Sequence, residues 1–196
     1  ATLTGCAFAA WRQSIDRFHG ACIGEGASSS GEFWEAMNLD GARGLPITYI
    51  LQNNQIALDT PPAKQSGVEV WADKATAMGF PAWTIDGSDP AAWHASTAVA
   101  REFALAGGGP TLIHVETMRG CGHAHHHDDL YLGNPSGTPP GYVDRELLAY
   151  WSAKDPLPTH RSLLLEMGVD EALLLEMETA EADGVEAARN TLLEMP

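Results

Sequence analysis

The residues best suited to chemistry are a carboxylate and an amide, each in a short polar stretch. Gly24-Glu25-Gly26 follows one apolar run, and Gln52-Asn53-Asn54-Gln55-Ile56 follows the next. Glu25 and Asn54 stand 29 residues apart, which leaves room for one helix and one strand. That spacing puts both groups at the carboxyl ends of neighbouring strands, where open α/β sheets bind ligands. A carboxylate, an amide oxygen and free backbone carbonyls are the hard oxygen ligands that Mg²⁺ or Ca²⁺ prefers. The glycines flanking the acid, Gly24 and Gly26, let the backbone approach a phosphate closely. The helix behind them points free N–H groups and its positive dipole end at that phosphate. Together the two stretches read as a metal-diphosphate site. Alone, Gly-Glu-Gly is also an ordinary strand-to-helix turn, and Asn after a strand is usually a turn former. The order of the two motifs carries the reading.

The elements that must position these groups alternate. Phe18 to Ile23 and Ile47 to Leu51 read as buried parallel strands, as do Ala82 to Ile85 and Thr111 to Thr117. Between them come helices: one after Ser29-Ser30-Gly31-Glu32, which fits a capping box, one over Val68 to Met78, and one from Pro90 to about Leu105. A helix over Ala7 to Ile15 precedes them. Strand, helix, strand, helix predicts an α/β fold with a doubly wound, mostly parallel sheet. Arg119 to Tyr142 is a long loop rich in Gly, His, Asp and Pro, and a loop of that length in a compact domain suggests function. Helices over Asp144 to Ser152, His160 to Met167 and Asp170 to Glu194 complete the chain. The expected organisation is an α/β domain over residues 1–142 and a helical extension over 143–196. The acidic last helix reads as a solvated face packed by its leucines.

Composition narrows the function. A net charge of −15 argues against nucleic acid or an anionic membrane as the main partner. No apolar run is long enough to span a bilayer and no signal peptide is visible, so a cytoplasmic location is expected. Cys6, Cys22 and Cys121 lack metal spacing and read as reduced thiols.

Gly24 to Asn38, Leu45-Pro46-Ile47 with Gln52 to Pro61, Ile85 to Asp89, and Gly109 to Ile113 carry a specific likeness. They resemble, collinearly, the α subunit of the decarboxylating component of 2-oxo acid dehydrogenase complexes. The tail, Leu148 to Pro156 and Leu163 to Gly168, is also similar to that family's closing helices. The resemblance implies a thiamine diphosphate-binding fold of the diphosphate-gripping type, with thiamine diphosphate and Mg²⁺ as cofactors. It implies Glu25 and Asn54 as metal ligands by side chain and Ile56 by its carbonyl. Gly24, Gly26 and Ala27 would line the diphosphate. The family's Gly-His pair after the last strand corresponds to Gly122-His123. Its histidine contacts the diphosphate and assists acyl transfer to lipoamide, and His123 is assigned that role, with His125 as the alternative. Where the family often carries a serine-rich run, in some members a phosphorylation site, this chain has Ala124-His125-His126-His127-Asp128-Asp129.

The resemblance further implies a β subunit that supplies the aminopyrimidine-binding domain and the activating glutamate, in an α2β2 assembly. It also implies a lipoyl-bearing acyltransferase partner and a small 2-oxo acid substrate. The likeness covers only the C-terminal part of an α subunit, so a fragment, a split gene product or a compact relative is expected. The alternatives are a truncated, non-catalytic partner- or metal-binding module, or another thiamine enzyme of the acetoin-cleaving or transketolase-like sort. In the first of these the His cluster would hold the metal, but a solvated polar loop accounts for it more simply. Asp86 and Asp89 could reach a ligand; a turn and a helix cap explain them better.

Overall fold

A computed structural model describes residues 1–134, 137 and 140–195, with the backbone alone at His125. The chain forms two compact units, Ala1–Lys154 and Asp155–Pro196. In the first, β1 (His19–Gly24), β2 (Ile47–Asn53), β3 (Ala82–Asp86) and β4 (Thr111–Glu116) form one sheet in the order β1-β2-β4-β3. All pairings are parallel, with Gly24 opposite Gln52, Asn53 opposite Glu116 and Asp86 opposite Glu116.

Side-chain alternation along the strands feeds two cores. On one face Ile47, Tyr49, Leu51 and Leu112 pack with Ala7 of α1 (Thr2–Arg12) and with Phe33 and Met37 of α2 (Gly31–Arg43). Trp71 and Ala75, the latter in α3 (Asp73–Thr76), complete this core. On the other face Ile85, Ile113 and Val115 pack with Ala100 of α4 (Pro90–Phe103). Helices thus cover both faces of a parallel sheet, as the alternating pattern predicts. The central strand β4 is buried from Thr111 to Val115, the near-continuous run that two-sided burial requires.

Some local expectations differ. The helix foreseen over Val68 to Met78 shortens to α3, because Val68 and Val70 are exposed and β-branched, so no burial offsets the cost of helix there. The capping box does not form. Ser29 lies in a 3-10 turn, Ala27–Ser29, and the N-cap Ser30 makes no side-chain capping bond. The first helix runs Thr2–Arg12 rather than from Ala7, and the chain leaves it through Ser14 at φ +54°. Within the long loop, a 3-10 turn at His125–His127 leads into α5 (Asp128–Tyr131). The first unit extends through α6 (Arg145–Ser152).

The second unit pairs α7 (Pro156–Glu166) with α8 (Glu171–Glu194), tied by Arg161 to Glu171 and Glu178. Among its described residues only Leu174 is buried, while Leu173, Met177, Val185 and Leu192 are exposed. An 11-residue helix cannot cover a 24-residue one, so the leucine face foreseen as packed is mostly bare. Among the described residues no helix is long and apolar enough to cross a membrane.

Two buried titratable groups make stability depend on pH. Asp40 of α2 is fully buried, and its Oδ2 accepts the Thr4 hydroxyl at 3.2 Å and the Tyr49 hydroxyl. Burial pushes the Asp40 carboxyl up, against those two hydrogen bonds. An acid with a raised folded pKa stabilises the fold less as pH rises through that pKa. Asp40→Asn, which keeps an acceptor and removes the charge, should therefore gain on the wild type as pH rises. Denaturant unfolding at pH 3.5 and pH 8 measures this, and an equal gap at both would exclude it. His114 of β4 is also fully buried; Thr84 Oγ1 lies 3.0 Å from its Nδ1, and burial lowers its pKa to about 4. The unfolded chain takes up that proton first, so stability should fall by up to about 3 kcal/mol as pH drops from 6.5 towards 4. In His114→Gln the same acid titration of the melting temperature should be flatter.

Candidate functional site

The first motif sits where β1 runs out. The Glu25 N–H donates to the Gln52 carbonyl at 3.2 Å, carrying the sheet register one residue past the strand. The Ser28 hydroxyl then closes the turn onto the Glu25 carbonyl at 2.6 Å. The result is a carboxylate that is only 2% exposed. Among the described residues no Lys or Arg pairs with it. Its side-chain partner is the neutral amide of Gln65, whose Nε2 lies 3.5 Å from Oε1. Burying a carboxylate without a counter-charge costs several kcal/mol. A cation brought to this turn would offset that cost.

The second motif folds back over the first. Asn53, buried, accepts the Gln55 N–H at 3.1 Å, and Asn54 Oδ1 accepts the Ile56 N–H at 3.3 Å. Gln55 and Leu58 are held at φ +70° and +55°, in the left-handed region. Both asparagines thus act as turn formers, yet an amide oxygen has two lone pairs and Asn54 keeps one free of this turn. The Ala57–Thr60 bridge then brings the loop down onto Gly26. A Cβ placed on Gly26 would lie 2.5 Å from the Ala57 Cβ, so only glycine permits the two motifs to meet. Carboxylate, amide oxygen and the Ile56 carbonyl are a hard-oxygen donor set on two apposed loops, which suits Mg²⁺.

A third loop closes against the second through Arg119. Its N–H donates to the Asn54 carbonyl at 3.1 Å. Its guanidinium donates to the carbonyls of Leu58 and Cys121, each at 2.9 Å, and to the Tyr142 hydroxyl at 3.3 Å. The Tyr131 ring lies beneath the guanidinium, 4.5 Å from centroid to Cζ, and the Tyr131 hydroxyl donates to the Arg119 carbonyl at 2.7 Å. Gly122 is pinned by its N–H to Asp128 Oδ1 at 2.7 Å, and a Cβ there would meet the His127 backbone at 2.5 Å. His123, next in line, is exposed.

Two cavities flank these loops. One of about 670 Å³ is lined by Gln55, Ile56, Asp59, Met118, Tyr131 and Tyr142 among others. A second of about 410 Å³ shares Gln55 and is bordered by Asp86, Glu116 and Lys154. Burial opposes the charge of Asp86, but hydrogen bonds from Lys154 and Ser88 outweigh it and hold the carboxyl below its usual value. Asp89 caps α4 through the Ala91 N–H at 2.8 Å. Turn and cap are the roles the structure gives this pair.

Gly24, Glu25, Gly26, Ala27, Asn54 and Ile56 thus fall on two loops in contact. Among the described residues His123 makes no hydrogen bond to that turn, and the side chain of His125 lies outside the described residues. Among the described residues no three His, Cys, Asp or Glu side chains converge as a metal centre. Sequence reasoning did not find Gln65, Arg119, Tyr131 or Tyr142. Arg119 carried one usable signal, a lone cation entering a loop rich in Gly, His and Asp.

The chain is 40% identical over 157 residues to the pyruvate dehydrogenase E1 component subunit alpha of Bacillus subtilis, covering 78% of this chain and 40% of that protein. The Bacillus cereus and Staphylococcus aureus counterparts are 39% and 36% identical, over 37% and 42% of their lengths. The chain therefore spans about two fifths of the curated relatives it matches. A solved Mycobacterium smegmatis structure, provisionally assigned as a thiamin diphosphate-dependent enzyme, aligns with 60% of this chain and 21% of its own at TM-score 0.47 and 22% identity. The model of the Dehydrogenase E1 component family matches residues 1–190, and the chain belongs to that family.

Proposed function

We propose that this chain is the diphosphate- and metal-holding part of the α subunit of a thiamine diphosphate-dependent 2-oxo acid dehydrogenase. The observation that carries the reading is the enclosed Glu25 carboxylate, without a cationic partner among the described residues, on a turn whose Gly26 packs against Ala57, just past Asn54 and Ile56. Glu25, Asn54 Oδ1 and the Ile56 carbonyl would hold Mg²⁺. Gly26 and Ala27 stand at the start of the 3-10 turn, where N–H groups have no intrahelical acceptor, and would donate to the diphosphate. A Cβ on Gly24 would meet nothing within 4 Å, so the backbone there is open to a close approach. His123, on the loop that Arg119 holds against Asn54, would contact the diphosphate and assist acyl transfer to a lipoyl group. When bound, thiamine diphosphate supplies the electron sink for decarboxylation of the 2-oxo acid. This chain's own residues bind and orient it. A complementary β subunit would supply the aminopyrimidine side of the site, and a lipoyl-bearing acyltransferase would take the acyl group.

Calorimetry with thiamine diphosphate and Mg²⁺ tests the reading directly. Binding should weaken about tenfold or more in Glu25→Ala and in Asn54→Ala. Equal affinity in wild type and Glu25→Ala would sink it. Arg119→Met keeps the stem over Tyr131 but loses the hydrogen bonds to the Leu58 and Cys121 carbonyls. It should cost about 1–3 kcal/mol of stability and also weaken cofactor binding, although Arg119 need not touch the cofactor. Unfolding curves and the same calorimetry read both effects; a loss of stability with full cofactor affinity would show that the clamp does not position the site.

A further inference from the structure

Gln65 is the one side chain, among the described residues, within hydrogen-bond range of the Glu25 carboxylate. It stands just after the 3-10 turn Pro62–Lys64, whose Pro62 carbonyl accepts the Gln65 N–H at 2.9 Å. Its side-chain nitrogen serves two acceptors at once: the Thr60 carbonyl at 2.6 Å and Glu25 Oε1 at 3.5 Å. Reversing the amide would turn an oxygen onto both acceptors, so this orientation is the one the contacts allow. Thr60 closes the Ala57 bridge, and Ala57 is the residue that lies against Gly26. One amide therefore links the buried acid to the loop that carries Asn54 and Ile56.

The choice of amide matters. Arg or Lys at this position would also donate to the carboxylate, but would bring its own positive charge and complete an ion pair. A neutral donor orients the carboxylate and leaves its charge unmet. We propose that Gln65 is a positioning residue for Glu25, which holds the carboxylate in place for a divalent cation without neutralising it. This rests on the reading that Glu25 ligates the metal.

The test uses the full chain, Mn²⁺ with thiamine diphosphate as the probe, and the electron paramagnetic resonance signal of free Mn²⁺ as the readout. Melting temperature without metal is the second readout. Gln65→Met, of similar length and without a donor, should weaken Mn²⁺ binding about tenfold. Gln65→Lys should weaken it at least as much while raising the metal-free melting temperature, because the ammonium takes the cation's place. That gain should vanish in a Glu25→Gln background. A residue with a merely structural role would not move affinity and stability in opposite directions. Gln65→Asn, which keeps the amide but retracts it by one methylene, replaces the Met variant if that one does not fold, with the same expected loss.

The outcomes separate the two claims. Wild-type binding that survives Glu25→Ala overturns the metal reading itself. Binding that is lost in Glu25→Ala but kept in all Gln65 variants overturns only the role of Gln65. So does a rise in melting temperature for Gln65→Lys that persists without the Glu25 charge. No Mn²⁺ binding by the wild type overturns both.

Discussion

A negative charge enclosed at the end of a strand is the constraint on which the rest of the site depends. Three contacts fix the backbone that carries Glu25. Its N–H continues the β1–β2 register through Gln52, its carbonyl accepts Ser28, and the helix behind it is anchored by Phe33 and Met37 in the core. Enclosing a carboxylate without a counter-charge is costly. Among the described residues the side-chain partner of Glu25 is the neutral Gln65. Parallel topology explains the location, since every strand here ends on the same edge and the loops that follow must converge there.

Convergence alone would leave three separate loops, and their mutual positions come from contacts that tolerate little change. The first and second loops touch where Gly26 meets Ala57, at a separation that admits no Cβ. The second and third are joined by the Arg119 guanidinium, which satisfies carbonyls on both. Backbone carbonyls in an irregular loop are not taken up by a helix or strand ladder, so a fork of N–H donors can hold several of them in one geometry. The aromatic pair Tyr131 and Tyr142, 5.3 Å apart, packs beside that fork. Left-handed Gln55 and Leu58 show that the second loop adopts an unfavourable backbone to reach this arrangement, as functional loops often do.

The strands were legible because two-sided burial writes continuous apolar runs. Ile47 to Leu51 and Thr111 to Val115 appear in the structure almost as read. The places of Glu25 and Asn54 at the carboxyl ends of neighbouring strands were legible too, because both lie directly after such runs. What local sequence could not show was anything decided by packing at a distance. Ser29 and Glu32 have the right spacing for a capping box, but Ser28 and Ser29 are drawn into the 3-10 turn that seals Glu25. Val68 to Met78 has helical periodicity, yet only its middle finds a core to pack on. Gln65 lies 40 residues from Glu25, and Arg119 lies 61 from Leu58. Nothing in the neighbourhood of either residue announces the contact it makes.

The chain has 11 Lys and Arg against 26 Asp and Glu. Lys154 is taken by Asp86, Arg161 by Glu171 and Glu178, and Arg189 by Glu186. Arg119 is spent on carbonyls and a tyrosine, and Lys74 lies over the Trp71 ring at 3.6 Å, where burial lowers its pKa. Among the described residues no Lys or Arg forms an ion pair with Glu25. An anionic ligand of the proposed site would draw on backbone N–H groups and a bridging cation. The same enclosed carboxylate that would repel a bare diphosphate would favour one that arrives with its metal. Discrimination of that kind needs the Glu25 charge to remain whole, which is why a neutral amide beside it suits the site better than any of the chain's own cations.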